Sequence, residues 1–64
     1  MKNKIEFTMV YEYDGREYTS FSLFDEGTKI DDMIDTCCKF MEVFYKCHRE
    51  DIVITEIRIK KRAF

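Results

Sequence analysis

"MVYEYDGREYTSFSL" runs from Met9 to Leu23, and the way it pairs with itself decides which side chains lie inside. Two runs of strand-forming residues meet at Asp14-Gly15. A slip of one residue in a β-ladder carries the whole hydrophobic set to the other face. A two-residue loop, Asp14-Gly15, places Tyr13 opposite Arg16 and sets Ile5, Phe7, Met9 and Tyr11 against Phe24, Ser22, Ser20 and Tyr18. It also puts Glu12 opposite Glu17, an unfavourable like-charge pair, and neither face is cleanly apolar. A three-residue loop, Tyr13-Asp14-Gly15, with Gly15 left-handed and a bulge after the turn, pairs Ile5 with Leu23, Phe7 with Phe21, Met9 with Thr19 and Tyr11 with Glu17. The other face then pairs Glu6 with Ser22, Thr8 with Ser20, Val10 with Tyr18 and Glu12 with Arg16. One face is apolar and the charges beside the turn attract, so the three-residue loop is the expectation.

"EGTKIDDMIDTCCKFMEVFYKCHRED" follows and reads as a helix over about residues 29–48. Thr28 with Asp31 three residues on is a start signal. Asp31 and Asp32 suit a positive N-terminus, and Lys46, His48 and Arg49 suit the other end. At 100° per residue Ile30, Met33, Ile34, Cys37, Met41 and Phe44 share one stripe, the core-facing pattern. Asp35–Lys39 and Glu42–Lys46 are i, i+4 ion pairs on the solvent side. Phe40, Val43 and Cys47 lie off the stripe and widen the apolar surface around one flank.

"DIVITEIRIKKRAF" closes the chain as an Ile- and Val-rich strand. Ile57 and Ile59 share one parity, Ile52 and Ile54 the other, so a bulge near Thr55 brings both sets to the core side. The strands cover about residues 4–13, 16–24 and 52–62. In β-β-α-β order, a right-handed crossover through the helix lays the third strand parallel to the second, beyond the first. The expected fold is α+β and two-layered: a three-stranded antiparallel sheet in order 2-1-3 with one helix on one face. No Pro, linker or repeat interrupts residues 1–64, which read as a single domain.

At 64 residues a chain buries only about 60% of its unfolded surface, so association is a natural route to stability. With 45% apolar and 16% aromatic residues the chain is not of disordered composition. Eleven basic and 13 acidic residues leave a net charge of −2, neither the excess of a dedicated nucleic-acid binder nor that of a strong DNA mimic. The charges separate: "RIKKR" at residues 58–62 is basic, and "DEGTKIDDMID" at 25–35 is mostly acidic. The start "MKNKIEFTMV" is interrupted by Glu6 and is too short for a signal peptide, and no run approaches a membrane span. A soluble, cytoplasmic chain without membrane contact is the expectation.

Catalytic chemistry is sparse. There is one His, no glycine-rich phosphate loop and no HExxH. Cys37 and Cys47 lie ten positions apart, about 15 Å along a helix, too far for a disulfide or a shared metal. The three thiols read as free and reduced. His48 beside Cys47 points about 100° away on a helix and suits the dipole rather than a catalytic pair. No enzyme activity, cofactor or metal is expected.

Two surfaces remain for function. One is the helix flank, with Phe40, Glu42, Val43, Tyr45 and Cys47 as candidate contacts for a protein partner, a second copy in a homodimer among them. The other is the open sheet face, where Val10 and Tyr18 stand among Arg58, Lys60 and Arg62; sheets that bind single-stranded nucleic acid use such aromatic and basic mixtures. The segments "FTMVYEYDGREY" (Phe7 to Tyr18), "MEVFY" (Met41 to Tyr45) and "IRI" (Ile57 to Ile59) resemble the small inhibitors of uracil-DNA glycosylase encoded by Bacillus phages. The resemblance implies the same strand–strand–helix–strand order, a dimer, and inhibition by imitating DNA. A Phe-Glu pair on that family's helix engages the enzyme and falls by position on Met41 and Glu42. The expected function is a non-catalytic protein-binding module, a small phage or mobile-element inhibitor of a host enzyme or defence complex. The alternatives are a nucleic-acid-binding domain using the open sheet face and a self-assembling structural subunit.

Overall fold

The computed structural model describes residues 3–63; Met1, Lys2 and Phe64 lie outside the described residues. Strands β1 (Asn3–Tyr13) and β2 (Arg16–Asp25) form a hairpin, helix α1 (Ile30–Tyr45) follows, and a single 3-10 turn (Arg49–Asp51) leads into β3 (Val53–Ala63). The sheet has order β2-β1-β3, with both neighbours antiparallel to β1. The expected α+β, helix-on-sheet architecture and strand order are what the chain adopts.

The hairpin register is not the expected one. Tyr13 faces Arg16 across a two-residue loop, so Ile5 pairs with Phe24, Phe7 with Ser22, Met9 with Ser20 and Tyr11 with Tyr18. Asp14 and Gly15 both take left-handed backbone angles, φ 53° and 77°. That is the demand of a type I′ turn, whose twist matches the strands it joins; Gly accepts it at no cost and Asp at little. The Glu12–Glu17 pairing is tolerated because both carboxylates are exposed to water beside the turn. Stacking of Tyr11 on Tyr18 at 5.5 Å, an edge-on contact of Phe7 with Phe24 at 5.8 Å, and the Lys4–Asp25 ion pair favour this register. Phe7 is wholly buried while Phe21 is 60% exposed. Phe21 and Leu23 therefore lie on the open face, not beneath the helix, and Tyr18 lies on the helix side, not the open face.

Ser20 and Ser22 explain how a polar β2 face can sit under a helix. Small side chains let α1 come close, and the Ser22 hydroxyl meets the Cys37 thiol at 3.8 Å. The core consists of Ile5, Phe7 and Met9 from β1 with Met33, Cys37, Cys38 and Met41 from α1. Cys38 is buried although it was outside the expected stripe, while Ile30 and Phe44 from that stripe are exposed. The helix is rolled toward the connection before β3, where Asp35 accepts hydrogen bonds from Lys39 at 3.1 Å and Arg49 at 3.0 Å. Phe44 is left exposed and packs on Phe40 at 4.5 Å.

The helix is shorter than the expected 29–48. Lys46 turns left-handed at φ 58°, and the N–H groups of Lys46 and Cys47 both donate to the Met41 carbonyl, ending the last turn. Lys46 thus leaves the helix, and the expected i, i+4 geometry with Glu42 is lost. At the other end Lys29 is the N-cap; the Thr28 hydroxyl donates to the Asp25 carbonyl at 2.7 Å, closing the β2–α1 turn instead of capping the helix. The expected bulge is present: the β1–β3 register shifts between Val10 and Tyr11, pairing them with Glu56 and Ile54 and skipping Thr55, whose hydroxyl donates to the Val10 carbonyl. Ile54, Ile57 and Ile59 all join the helix side.

Sixteen helical residues span about 24 Å and an 11-residue strand about 36 Å. The sheet therefore outruns its cover, and the molecule measures 40 × 19 × 16 Å. The uncovered length lies at the hairpin turn, where Tyr11, Tyr13 and Tyr18 cluster.

Candidate functional site

The last turns of α1 carry an aromatic ridge. Phe40 packs at a tilt against Phe44 and lies 6.0 Å from Tyr45, ring centre to ring centre. All three rings and Val43 are exposed, whereas Glu42 is half-buried around the helix on the side of Cys38 and Arg49. Of the expected flank residues, Phe40, Val43 and Tyr45 thus stand on one accessible ridge, joined by Phe44, which the helical stripe had placed inside. Met41 is only 3% exposed, so of the Met41-Glu42 pair only Glu42 can reach a partner.

Below the ridge the helix stops short of the turn, and a cavity of about 450 Å³ opens. Tyr11, Tyr13, Tyr18, Thr19, Tyr45 and Cys47 line it. The chain has four tyrosines, and all four are here. Burial, with the nearby Cys47 thiol second, raises the Tyr11 phenol above its ordinary range. Tyr13 is also raised, chiefly by desolvation, although a backbone hydrogen bond from His48 opposes the shift. Both hydroxyls stay neutral at physiological pH. Cys47 is half-buried, and Cys37 and Cys38 are buried; all three are free. Burial pushes the Cys38 thiol up, against the opposing influence of Arg49. His48 is exposed and sits beyond the helix end as the residue before the 3-10 turn.

The open sheet face presents cross-strand rows. Phe21, Thr8 and Arg58 form one; Leu23, Glu6 and Lys60 the next; then Asp25, Lys4 and Arg62. Arg62 pairs with Glu6, and Arg58 with Glu56, which raises the guanidinium further above its usual range. Val10, Arg58, Lys60 and Arg62 occupy the expected face. Phe21 and Leu23 were missed there, because they were assigned to the core; the Asp-Gly dipeptide was the signal that could have found them.

Asp35 has two cationic partners. Hydrogen bonds from Lys39 and Arg49 hold it below the ordinary carboxylate range, and the arrangement fastens the helix to the β3 connection. Among the described residues no three His, Cys, Asp or Glu side chains gather as a metal site, and no helix is long and apolar enough to cross a membrane. Comparison of the chain with known families, with curated proteins and with solved structures gives no match.

Proposed function

We propose that the chain acts by binding protein, not by catalysis, and that the ridge of Phe40, Val43, Phe44 and Tyr45, with Cys47 at its foot and Glu42 on the adjoining helix face, is the contact surface. The observation that carries this reading is the imbalance of the apolar residues. Among the described residues, eleven large hydrophobics are exposed and seven are buried in the core. Exposed apolar surface of this extent, concentrated in aromatic side chains, is what a partner covers. Two free strand edges, β2 and β3, add unpaired backbone groups to the offer. A second copy of the chain is the nearest partner by this logic, and a small inhibitor of a host enzyme or defence complex, encoded by a phage or mobile element and acting in the host cytoplasm, is the biological role that fits a domain this size.

The test is the solution mass of the wild type and of Phe40→Asp and Val43→Asp, with affinity capture from a host lysate by the same three proteins. A dimer or a stoichiometric partner lost in both variants supports the reading. A monomer that captures nothing under several conditions contradicts it.

The corrected register favours one second reading. Phe21 now stands in line with Arg58 on the open face, giving a base-stacking platform beside basic groups for a single-stranded nucleic acid. The pairing of Arg58 and Arg62 with glutamates weakens that surface. Such binding falls steeply with salt; oligonucleotide binding that is absent at low salt, or unmoved by Phe21→Ser, removes it.

A further inference from the structure

The tyrosine cavity adjoins the ridge that the protein-binding reading uses and shares Tyr45 and Cys47 with it, but its chemistry is different. Its walls are four phenol rings, a thiol and a threonine, with no Lys, Arg or His among them. A second hollow of about 380 Å³, lined by Tyr13, Asp14 and Asp51, adjoins it through the shared Tyr13. Acidic groups at this end of the sheet, namely Glu12, Asp14, Glu17 and Asp51, outnumber Arg16 and Lys46. Arg49, the other nearby cation, is engaged by Asp35.

Aromatic faces are negative and aromatic edges positive. Several rings around one hollow attract a cation placed over their faces, most of all a weakly hydrated one. A small inorganic ion needs a close carboxylate to replace its water, and none lines the main cavity. A methylated ammonium sheds water easily, fills apolar space with its methyl groups and still carries its charge. The cavity volume lies within the range of about 300–1,000 Å³ typical of ligand sites, which leaves room for the chain that bears the head group.

We propose that Tyr11, Tyr13, Tyr18 and Tyr45 form an aromatic cage for a methylated ammonium group, with Asp14 and Asp51 supplying the negative field at its mouth. The stacked Tyr11–Tyr18 pair forms the floor, on the sheet. Tyr45, exposed on the last helical turn, forms the facing wall. The raised phenol pKa values of Tyr11 and Tyr13 agree with this use, since both rings stay uncharged donors. The same head group occurs on free small molecules and on trimethylated lysine, and the cage chemistry is common to both.

The experiment is an NMR titration of the full chain with choline, alongside its neutral isostere in which carbon replaces the quaternary nitrogen. Choline is expected to shift the ring signals of Tyr11, Tyr18 and Tyr45 and to bind about tenfold more tightly than the isostere. Tyr45→Leu and Tyr18→Leu, both at exposed positions outside the buried core, should each weaken choline about five- to tenfold, with the Phe7–Phe24 ring contact as the check that Tyr18→Leu keeps the hairpin register. Asp51→Asn should weaken it about twofold, with a smaller salt dependence. Equal binding of the isostere, no shift at about 100 mM choline, or unchanged affinity in Tyr45→Leu overturns the cage. A trimethyl-lysine peptide and its unmodified form then separate the sources: a modified peptide that binds more tightly than choline makes the site a reader of protein side chains, and choline as the tighter ligand makes it a small-molecule site. Tyr45 belongs to both surfaces, but Tyr18→Leu and Asp51→Asn touch no ridge residue, and Phe40→Asp and Val43→Asp touch no cavity residue, so the cage can fail while the protein-binding reading stands, and the reverse.

Discussion

Replacing Phe7 by Ala and Phe21 by Thr separates the inside of the sheet from the outside. Phe7 has no exposed surface, and truncating a buried Phe to Ala costs about 3–5 kcal/mol. Phe21 keeps 60% of its surface exposed; with about 1.5–3 kcal/mol for full burial of such a side chain, the 40% it does bury is worth about 1 kcal/mol. Thr at position 21 faces Thr8 across the strands, and that favourable pair returns part of the loss. A domain of 64 residues has about 3–10 kcal/mol of total stability. Phe7→Ala should therefore lose about a third or more of the total stability, and all of it at the lower end of that range, whereas Phe21→Thr should melt within about 4–8 °C of the wild type. Urea unfolding followed by far-UV circular dichroism, with equal slopes as the condition for comparison, measures both. Similar losses in the two variants would refute the register, because they would mean that both rings share the core.

Gly15→Ala should cost about 1–2 kcal/mol, since the new Cβ meets no neighbouring atom within 4 Å but the residue must hold φ 77°; an unchanged urea midpoint would show that the turn does not need that conformation. Asp35 has a depressed folded pKa, so its contribution is present above the unfolded value of about 3.9 and is lost as pH falls through the folded value. The melting difference between wild type and Asp35→Asn should accordingly be full at neutral pH and shrink below about pH 4, and a difference that grows on acidification would contradict the Lys39 and Arg49 pairings. Cys47 should alkylate in the native state well before Cys37 and Cys38, which are buried and, for Cys38, raised in pKa; equal rates for the three would mean that the helix does not seal its underside.

Much of the architecture was legible in the residues because it rests on patterns of long reach. The β-β-α-β order, the 2-1-3 sheet and the bulge at Thr55 follow from apolar parity and from the crossover rule, and all are present. The hairpin register was not legible by the same route. Counting apolar residues on each face favoured Phe21 and Leu23 inside, and it gave weight to a Glu12–Glu17 repulsion that water screens. It overlooked two local facts: Asp-Gly accepts left-handed angles at both turn positions, and a helix lies closer over Ser20 and Ser22 than over Phe21 and Leu23. The helix roll was hidden for a related reason. Cys38 and Phe44 are near-equal choices for the buried stripe, and the side that turns inward is the one that also carries the Asp35–Arg49 contact to the 3-10 turn.

The candidate surfaces were readable in part. Phe40, Val43 and Tyr45 stood out as apolar residues off the stripe, and the basic parity of β3 announced Arg58, Lys60 and Arg62. The tyrosine cavity was invisible in sequence, since it needs the true register to stack Tyr11 on Tyr18 and an early helix stop at Lys46 to bring Tyr45 and Cys47 down to them. Nothing in the linear spacing of residues 11, 13, 18 and 45 points to a shared space.

The decisive measurement is a set of nuclear Overhauser contacts across the hairpin in solution. Ring-to-ring contacts of Phe7 with Phe24 and of Tyr11 with Tyr18, with none between Phe7 and Phe21, are the result expected from the two-residue Asp14-Gly15 turn. A Phe7–Phe21 contact together with one between Val10 and Tyr18 would contradict it, and would dismantle the tyrosine cage and the exposed Phe21 platform at once.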